Sequence, residues 1–496
     1  MRTLFIRQVC VFAAAAMLTA CGGGGGGSGS AVIGSGTGAT GVGAVGVVLT
    51  DQPANLGEIK QILLTITGVE ILGDGDQGKV TLYSGPPRGP FDLLKLQNEA
   101  RPLAFSSDVP AGTYCKIRLT LSDLELVFND NTNEPNFHPK LPGNSKLDLN
   151  ARKCFEVSPG ATVYLQLDMD ARSIHVVQTG NKKQYNFRPV VFIDVVQGNF
   201  PAKLVRLEGG VIQEVNRQNG TLLLCDFQYG KGARGGVGDC MTIVISRDTS
   251  AFDNLENDRV NDASGGDAIA LADLLVPERV GARPVTVIGR LSGDNQGDDN
   301  RPVLEASVVE LGGFLNLDGS VASGASDIRF NMNVDPNAGI QTGGELPVAL
   351  QAAPPGGNGT KILSPSGDVL TGAAIVPQRS VLVDGVLILD QASPDYLNSA
   401  LVIVDTSDGS GNDAASGVIQ RVGVDGLLLG ADSFPCESGA GSFIVSFDAQ
   451  TVVYLSTASG GSFVNARDLV AGQNVDISGD CDGTTLMAKA IIIRPD

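Results

Sequence analysis

Short runs in which apolar and polar residues alternate recur along most of the chain, and a period of two is the spacing of a half-buried β-strand. In Cys115-Lys116-Ile117-Arg118-Leu119-Thr120-Leu121 the odd positions are apolar, which predicts that Cys115 faces a core. Thr162 to Asp170 repeats the pattern, with Val163, Leu165, Leu167 and Met169 expected inward and Tyr164, Gln166, Asp168 and Asp170 outward. From 44 to 198 such runs alternate with turns and no long stretch carries a helical period, so the segment reads as a β-sandwich. Phe91 to Asn98 is the best candidate for a short helical turn, lying across one end of the sheets.

Beyond residue 205 the pattern repeats in three copies, 205–312, 316–407 and 414–496. Each opens on a glycine and a strand, at Gly210-Val211-Ile212, Gly319-Ser320-Val321 and Gly417-Val418-Ile419. Each closes on a hairpin: Val285 to Gly289 with Leu304 to Val309, Val381 to Gly385 with Ala400 to Val404, and Val475 to Gly479 with Met487 to Ile492. The middle copy is degenerate. Asp468-Leu469-Val470-Ala471-Gly472-Gln473 precedes the last hairpin, and Asp273-Leu274-Leu275 is a partial version in the first copy. A five- or six-stranded open barrel of the oligonucleotide-binding type fits this spacing. The expected fold class is therefore all-β, a sandwich followed by three small barrel-like repeats.

The N-terminus changes the picture. Arg2 and Arg7 flank a positive n-region, Val9 to Leu18 is apolar but short for a bilayer span, and Leu18-Thr19-Ala20-Cys21 resembles the bacterial lipobox. Residues 1–20 are thus expected to be a signal peptide and Cys21 the lipid-attachment site, with acyl chains contributing about 0.8 kcal/mol per buried methylene. Residues 21–43, rich in glycine, read as a flexible tether spanning roughly 25 Å. A phosphate-binding loop needs a Gly-Lys-Ser/Thr ending that these glycines lack. Gly22 follows the acylated cysteine where inner-membrane retention places Asp, which points to the outer membrane.

Composition narrows the function classes. The formal charge is −19, or −21 once Arg2 and Arg7 leave with the signal, which disfavours nucleic acid as a partner. No Trp and 5 % aromatic residues disfavour sugar platforms. Of the eight cysteines, Cys10 leaves with the signal and Cys21 is acylated. The other six fall as pairs within modules, Cys115 with Cys154, Cys225 with Cys240, and Cys436 with Cys481, as intramodule disulfides of an oxidising compartment would. Buried thiols and, behind them, metal ligation are the alternatives.

Several separated segments carry a resemblance. They are Val48-Leu49-Thr50-Asp51-Gln52-Pro53-Ala54, Leu64-Thr65-Ile66-Thr67-Gly68-Val69-Glu70, Phe91-Asp92-Leu93-Leu94, Pro110-Ala111-Gly112-Thr113-Tyr114, Leu167-Asp168-Met169-Asp170-Ala171 and Tyr185-Asn186-Phe187-Arg188-Pro189-Val190. In order and spacing this stretch resembles the bacterial lipoprotein module known as domain of unknown function 4382. The resemblance implies a transthyretin-like or immunoglobulin-like sandwich without established chemistry. Pro110 to Tyr114 itself reads as a turn into a strand, with Gly112 supplying an unusual backbone angle and Tyr114 capping a corner. The three later copies resemble the small module called domain of unknown function 5666.

Candidate chemistry is sparse. His138 and His175 sit in no nucleophile motif. Asp168 and Asp170, on one strand face about 7 Å apart, match the spacing of glycosidase carboxylates but equally that of any solvated strand. Asp294-Asn295-Gln296-Gly297-Asp298-Asp299-Asn300 resembles the start of a calcium loop without its distal glutamate, and Asn129 to Glu134 is no stronger. No catalytic residue, metal or cofactor is expected. The expectation is a non-enzymatic cell-envelope lipoprotein, bound to the membrane through its lipid and presenting β-modules to an envelope protein partner; a calcium-stabilised surface adhesin or an extracytoplasmic hydrolase are the alternatives. Peptide mapping of the exported protein without reduction should return the three pairs named above, and titratable thiols at those positions would refute the assignment.

Overall fold

The computed structural model describes residues 41–51, 59–73, 78–129, 135–139, 145–170, 174–179, 182–187, 190–196, 202–229, 239–255, 265–292, 301–323, 326, 328–335, 340, 344–389, 395–405, 413–431, 442–448, 451–457, 460–482 and 484–493. It is all-β, as the alternation predicts, with one four-residue α-helix, α1 (Leu271–Leu274), among the described residues. Residues 1–20, read as a signal peptide, Cys21 and nearly all of the expected tether lie outside the described residues, as do Cys436 and the segments Asp294 to Asn300 and Asp130 to Glu134.

Ten strands build the N-terminal module: β1 (Val42–Asp51), β2 (Ile59–Gly73), β3 (Lys79–Asp92), β4 (Arg101–Pro110), β5 (Gly112–Phe128), β6 (Lys146–Val157), β7 (Thr162–Asp170), β8 (Ile174–Thr179), β9 (Lys182–Phe187) and β10 (Val190–Val196). Two four-stranded sheets, β10-β7-β1-β4 and β3-β2-β5-β6, share one core that includes Leu49, Leu64, Ile66, Leu119, Leu165 and Leu167. Only β1 and β7 run parallel among these sandwich pairings. β8 and β9 form a separate hairpin.

Three expectations need correction. Cys115 does not face the core. Against β2, where Leu72 pairs with Lys116 and Gly73 with Tyr114, β5 carries one extra residue, and this bulge lets Tyr114 take the inward position while Cys115 is half-buried. Tyr114 is fully buried, donates its hydroxyl to the Pro110 carbonyl at 2.8 Å and stacks on Phe155, so the corner it caps is real. Second, the outward face of β7 is not solvated: Tyr164 and Gln166 are buried and Asp168 is half-buried, because the next module covers them. Val303 N–H donates to the Tyr164 hydroxyl at 2.9 Å and Lys203 N–H donates to Gln166 Oε1 at 2.9 Å. Third, the expected helical turn shrinks to a 3₁₀ turn at Leu93–Lys95, since β3 continues to Asp92.

Each repeat is a closed ring of five strands. The first uses β11 (Val205–Asn216), β12 (Thr221–Cys225), β13 (Cys240–Val244), β16 (Val285–Ser292) and β17 (Val303–Gly312), with β14 (Ser250–Asn254) and β15 (Asp267–Ile269) attached outside β17. The second uses β18 (Leu315–Ser323), β19 (Arg329–Val334), β20 (Leu346–Leu350), β22 (Ser380–Ile388) and β23 (Tyr396–Val404), with β21 (Lys361–Leu363) attached. The third uses β24 (Asp413–Val422), β25 (Gly426–Ala431), β26 (Phe443–Ser446), β29 (Asn474–Asp482) and β30 (Thr485–Ile493), with β27 (Val452–Thr457) and β28 (Gly460–Val464) attached. In every ring the third and fifth strands pair in parallel and close the barrel. This is the five-stranded Greek-key closure of the oligonucleotide-binding type.

The copies share their special positions. The opening glycines Gly210, Gly319 and Gly417 lie opposite Val285, Val381 and Val475. Each closing hairpin has a bulge at Gly289, Gly385 or Gly479, where an added Cβ would meet a carbonyl oxygen across the ladder at 2.1, 2.6 or 2.0 Å. Leu274, Ile375 and Leu469 each bury into the core of their own ring from the short turn before the fourth strand. A two-bond backbone clip holds that turn: Gly281, Gln378 and Gly472 donate to Ile212, Val321 and Ile419, which donate back to the following residue.

The clip residue has φ of 85°, 71° and 93° in the three rings, so Gln378 of the degenerate copy occupies a left-handed conformation that its two counterparts leave to glycine. Since that side chain is exposed, Gln378→Gly should stabilise the chain by up to about 1 kcal/mol in denaturant unfolding. Gly289→Ala, which drives a Cβ into the Glu305 carbonyl, should cost about 1–3 kcal/mol in the same measurement.

Candidate functional site

Charges with apolar or glycine neighbours sit inside strands at Val205-Arg206-Leu207, Val309-Glu310-Leu311 and Val383-Asp384-Gly385. These residues meet where three modules join. Arg206 on β11 donates from Nε to Glu99 Oε2 of the sandwich and from Nη2 to Asp384 Oδ2 on β22, both at 2.5 Å. Asn316 on β18 donates to Asp384 Oδ1 at 2.7 Å. Arg101 pairs with Glu99 Oε1 at 3.0 Å and with Glu208 Oε2 at 2.6 Å. Arg206, Glu99 and Asp384 are each no more than 3 % exposed. Burial opposes the Arg206 charge, but the Asp384, Glu99 and Glu310 carboxyls hold its pKa well above the usual value. Arg101 lowers the Glu208 carboxyl against its burial. Burial pushes Asp318 up to about 7.

The backbone seals the same joint, as Ala100 N–H donates to the Leu204 carbonyl at 2.7 Å and Arg206 N–H to the Ala100 carbonyl at 3.0 Å. Alongside it, Leu204, Phe252, Ile288 and Val308 of the first ring pack with Leu363, Leu382, Leu401 and Ile403 of the second. Lys203 donates from Nζ to the Asp51 carbonyl at 2.5 Å, and burial lowers its pKa despite Asp168, Asp51 and Asp405 nearby.

A second junction lies between β3 and the first ring. The Arg88 guanidinium is sandwiched between the Tyr83 ring, 3.5 Å from its centroid, and the Tyr229 ring at 3.6 Å, while donating to Asp239 Oδ2 at 2.8 Å. Beside it opens a cleft of about 420 Å³ lined by Ser106, Ser107, Asp108, Tyr229, Asp239 and Arg301 among others.

Cys115 is bonded to Cys154, joining adjacent strands β5 and β6, and Cys225 to Cys240, directly opposed on β12 and β13. Cys481 lies on β29, and its side chain, like those of His175 and Asp170, is outside the described residues. His138 is exposed and hydrogen-bonds Asp123 Oδ1 at 3.0 Å, a contact that raises its pKa; it does not line the cleft. Asp168 belongs to the surroundings of Lys203 rather than to a solvated pair. Among the described residues, no group of three or more His, Cys, Asp and Glu is arranged to hold a metal.

The junction residues were missed because a charge in a strand reads as solvent-facing. A signal existed: Arg206, Glu310 and Asp384 each have apolar neighbours on both sides or a bulge glycine after them. Fold and junctions together define a multi-module all-β protein whose interior charges join one module to the next. Its N-terminal module, residues 42–189, matches the model of the family described as Domain of unknown function (DUF4382). No curated protein and no solved structure matches the chain.

Arg206→Met strands the Glu99 and Asp384 carboxylates in the interior and should cost about 3–5 kcal/mol in denaturant unfolding. Arg290→Ala breaks the exposed pair with Asp368 and should cost under about 1 kcal/mol in the same assay.

Proposed function

We propose that the chain is a non-enzymatic lipoprotein of the bacterial cell envelope, anchored in the outer membrane through lipid on Cys21. The observation that carries this reading is Leu18-Thr19-Ala20-Cys21, placed directly after a positive n-region and a short apolar segment. The glycine-rich segment ahead of β1, which begins at Val42, is the tether. The assigned modules are 44–198, 205–312, 316–407 and 414–496, and their work is mechanical, to hold a β-surface away from the lipid for a protein partner in the envelope.

Two features of the body support this. The Cys115–Cys154 and Cys225–Cys240 bonds suit an oxidising space outside the cytoplasm. The charged side chains of the interior, Arg88 with Asp239 and Arg206 with Glu99 and Asp384, are engaged in fixing modules to one another, which is what a stiff spacer needs. The three rings, with their shared glycine positions, are read as tandem copies of the unit resembling domain of unknown function 5666. The charge of −21 on the mature chain disfavours nucleic acid.

Radiolabelled palmitate should be incorporated by the wild-type chain expressed in bacteria and lost in Cys21→Ser, with the variant moving from the membrane fraction to the soluble one. Label persisting in the variant would remove the basis of the proposal.

A further inference from the structure

The three-module junction contains more carboxyls than its two guanidinium groups can balance. Two guanidinium groups, Arg206 and Arg101, face two carboxylates, Glu99 and Asp384, while Glu208 at the rim is half in solvent. Glu310 on β17 is the extra group. It is 1 % exposed, its Oε1 has no hydrogen-bond partner, and the strands flanking it in register present Thr286 and Phe252, which carry no charge. The charged groups that face it come from elsewhere: Asp384 from β22, within hydrogen-bonding reach, Arg206 from β11 and Glu99 from the segment before β4. A second buried anion beside Asp384 would repel it across the seam between the first and second rings, whereas a protonated Glu310 can donate to Asp384 and adds no buried charge.

We propose that this junction is a proton-dependent latch, in which a proton shared by Glu310 and Asp384 holds the second ring against the first ring and the sandwich, and its loss opens the joint. The directions of titration agree. Burial, and then the Asp384 charge, raise the Glu310 pKa well above its usual value, and burial also raises Asp384. In the unfolded chain Glu310 ionises at about 4.3. The folded state therefore binds the extra proton, so the closed joint is fully favoured below that pH and loses stability as pH rises from there through the raised folded value. Across that window the opening constant grows about tenfold per pH unit. Asp318, pushed up to about 7, contributes in the same direction, so the test must subtract it.

The full chain and its Glu310→Gln variant are compared between pH 5 and 9 by amide hydrogen exchange, corrected for intrinsic rates, at Leu382, Leu401 and Ile403 on the seam. Gln keeps the donor and cannot ionise. Wild type should lose protection there by about tenfold per pH unit more steeply than the variant through part of the range, the variant keeping only the dependence that Asp318 contributes, and the variant should be the more thermally stable of the two at pH 9 but not at pH 5. Parallel profiles for the two chains overturn the latch. Should the variant fail to fold, wild type decides alone: seam protection unchanged from pH 5 to 9 overturns it as well.

Discussion

The Arg206 guanidinium is the constraint around which the described body is arranged. It is enclosed by the sandwich on one side and the second ring on the other, and its neighbours were chosen by charge before they were chosen by shape. A buried ion pair contributes little net stability against an apolar replacement of the same volume, because desolvation offsets the attraction. What it contributes is selectivity of arrangement. An apolar seam such as that of Phe252, Val308 and Leu401 tolerates sliding, whereas a guanidinium with a carboxylate on each side accepts one registration. The sandwich and first ring are further locked by Arg88, stacked between tyrosines of the two modules, and by the Val303–Tyr164 hydrogen bond.

This makes the modules less like beads than a first reading of their boundaries suggests. Apolar residues of the sandwich and the first ring form one continuous cluster, while the second and third rings keep cores of their own. Joints of different chemistry follow along the chain: a shared core and an aromatic clamp first, then a charged and apolar seam. The two described disulfides act within modules and leave these joints to non-covalent forces.

Much of the fold was legible in alternation and glycine placement. The opening glycines and the closing hairpin glycines mark equivalent places in three rings, because backbone crossing at Gly289, Gly385 and Gly479 leaves no room for a side chain. Period two shows that a strand has two faces but not whether the second meets water or another module, which is why Tyr164 and Gln166 were assigned to solvent. It also assumes an unbroken count. One inserted residue in β5 against β2 was enough to exchange the orientations of Tyr114 and Cys115. The candidate site was the least legible part, since its members Glu99, Arg206 and Asp384 lie far apart in the chain and acquire meaning only as partners.

Ring closure has a consequence for how such a chain is made. Each barrel is sealed by its third strand pairing with its fifth, so Thr242 waits for Val303, Val348 for Leu397 and Ile444 for Thr485. Until the last strand arrives, a chain emerging from its N-terminus holds an open sheet with an unpaired edge, the state most prone to join a neighbouring molecule. Non-local closure of this kind is slow, since chain entropy is lost before contacts are gained. The body is thus most vulnerable during synthesis and least so once complete, and the ladder that seals each ring is the step at which a nascent edge stops being a template for others.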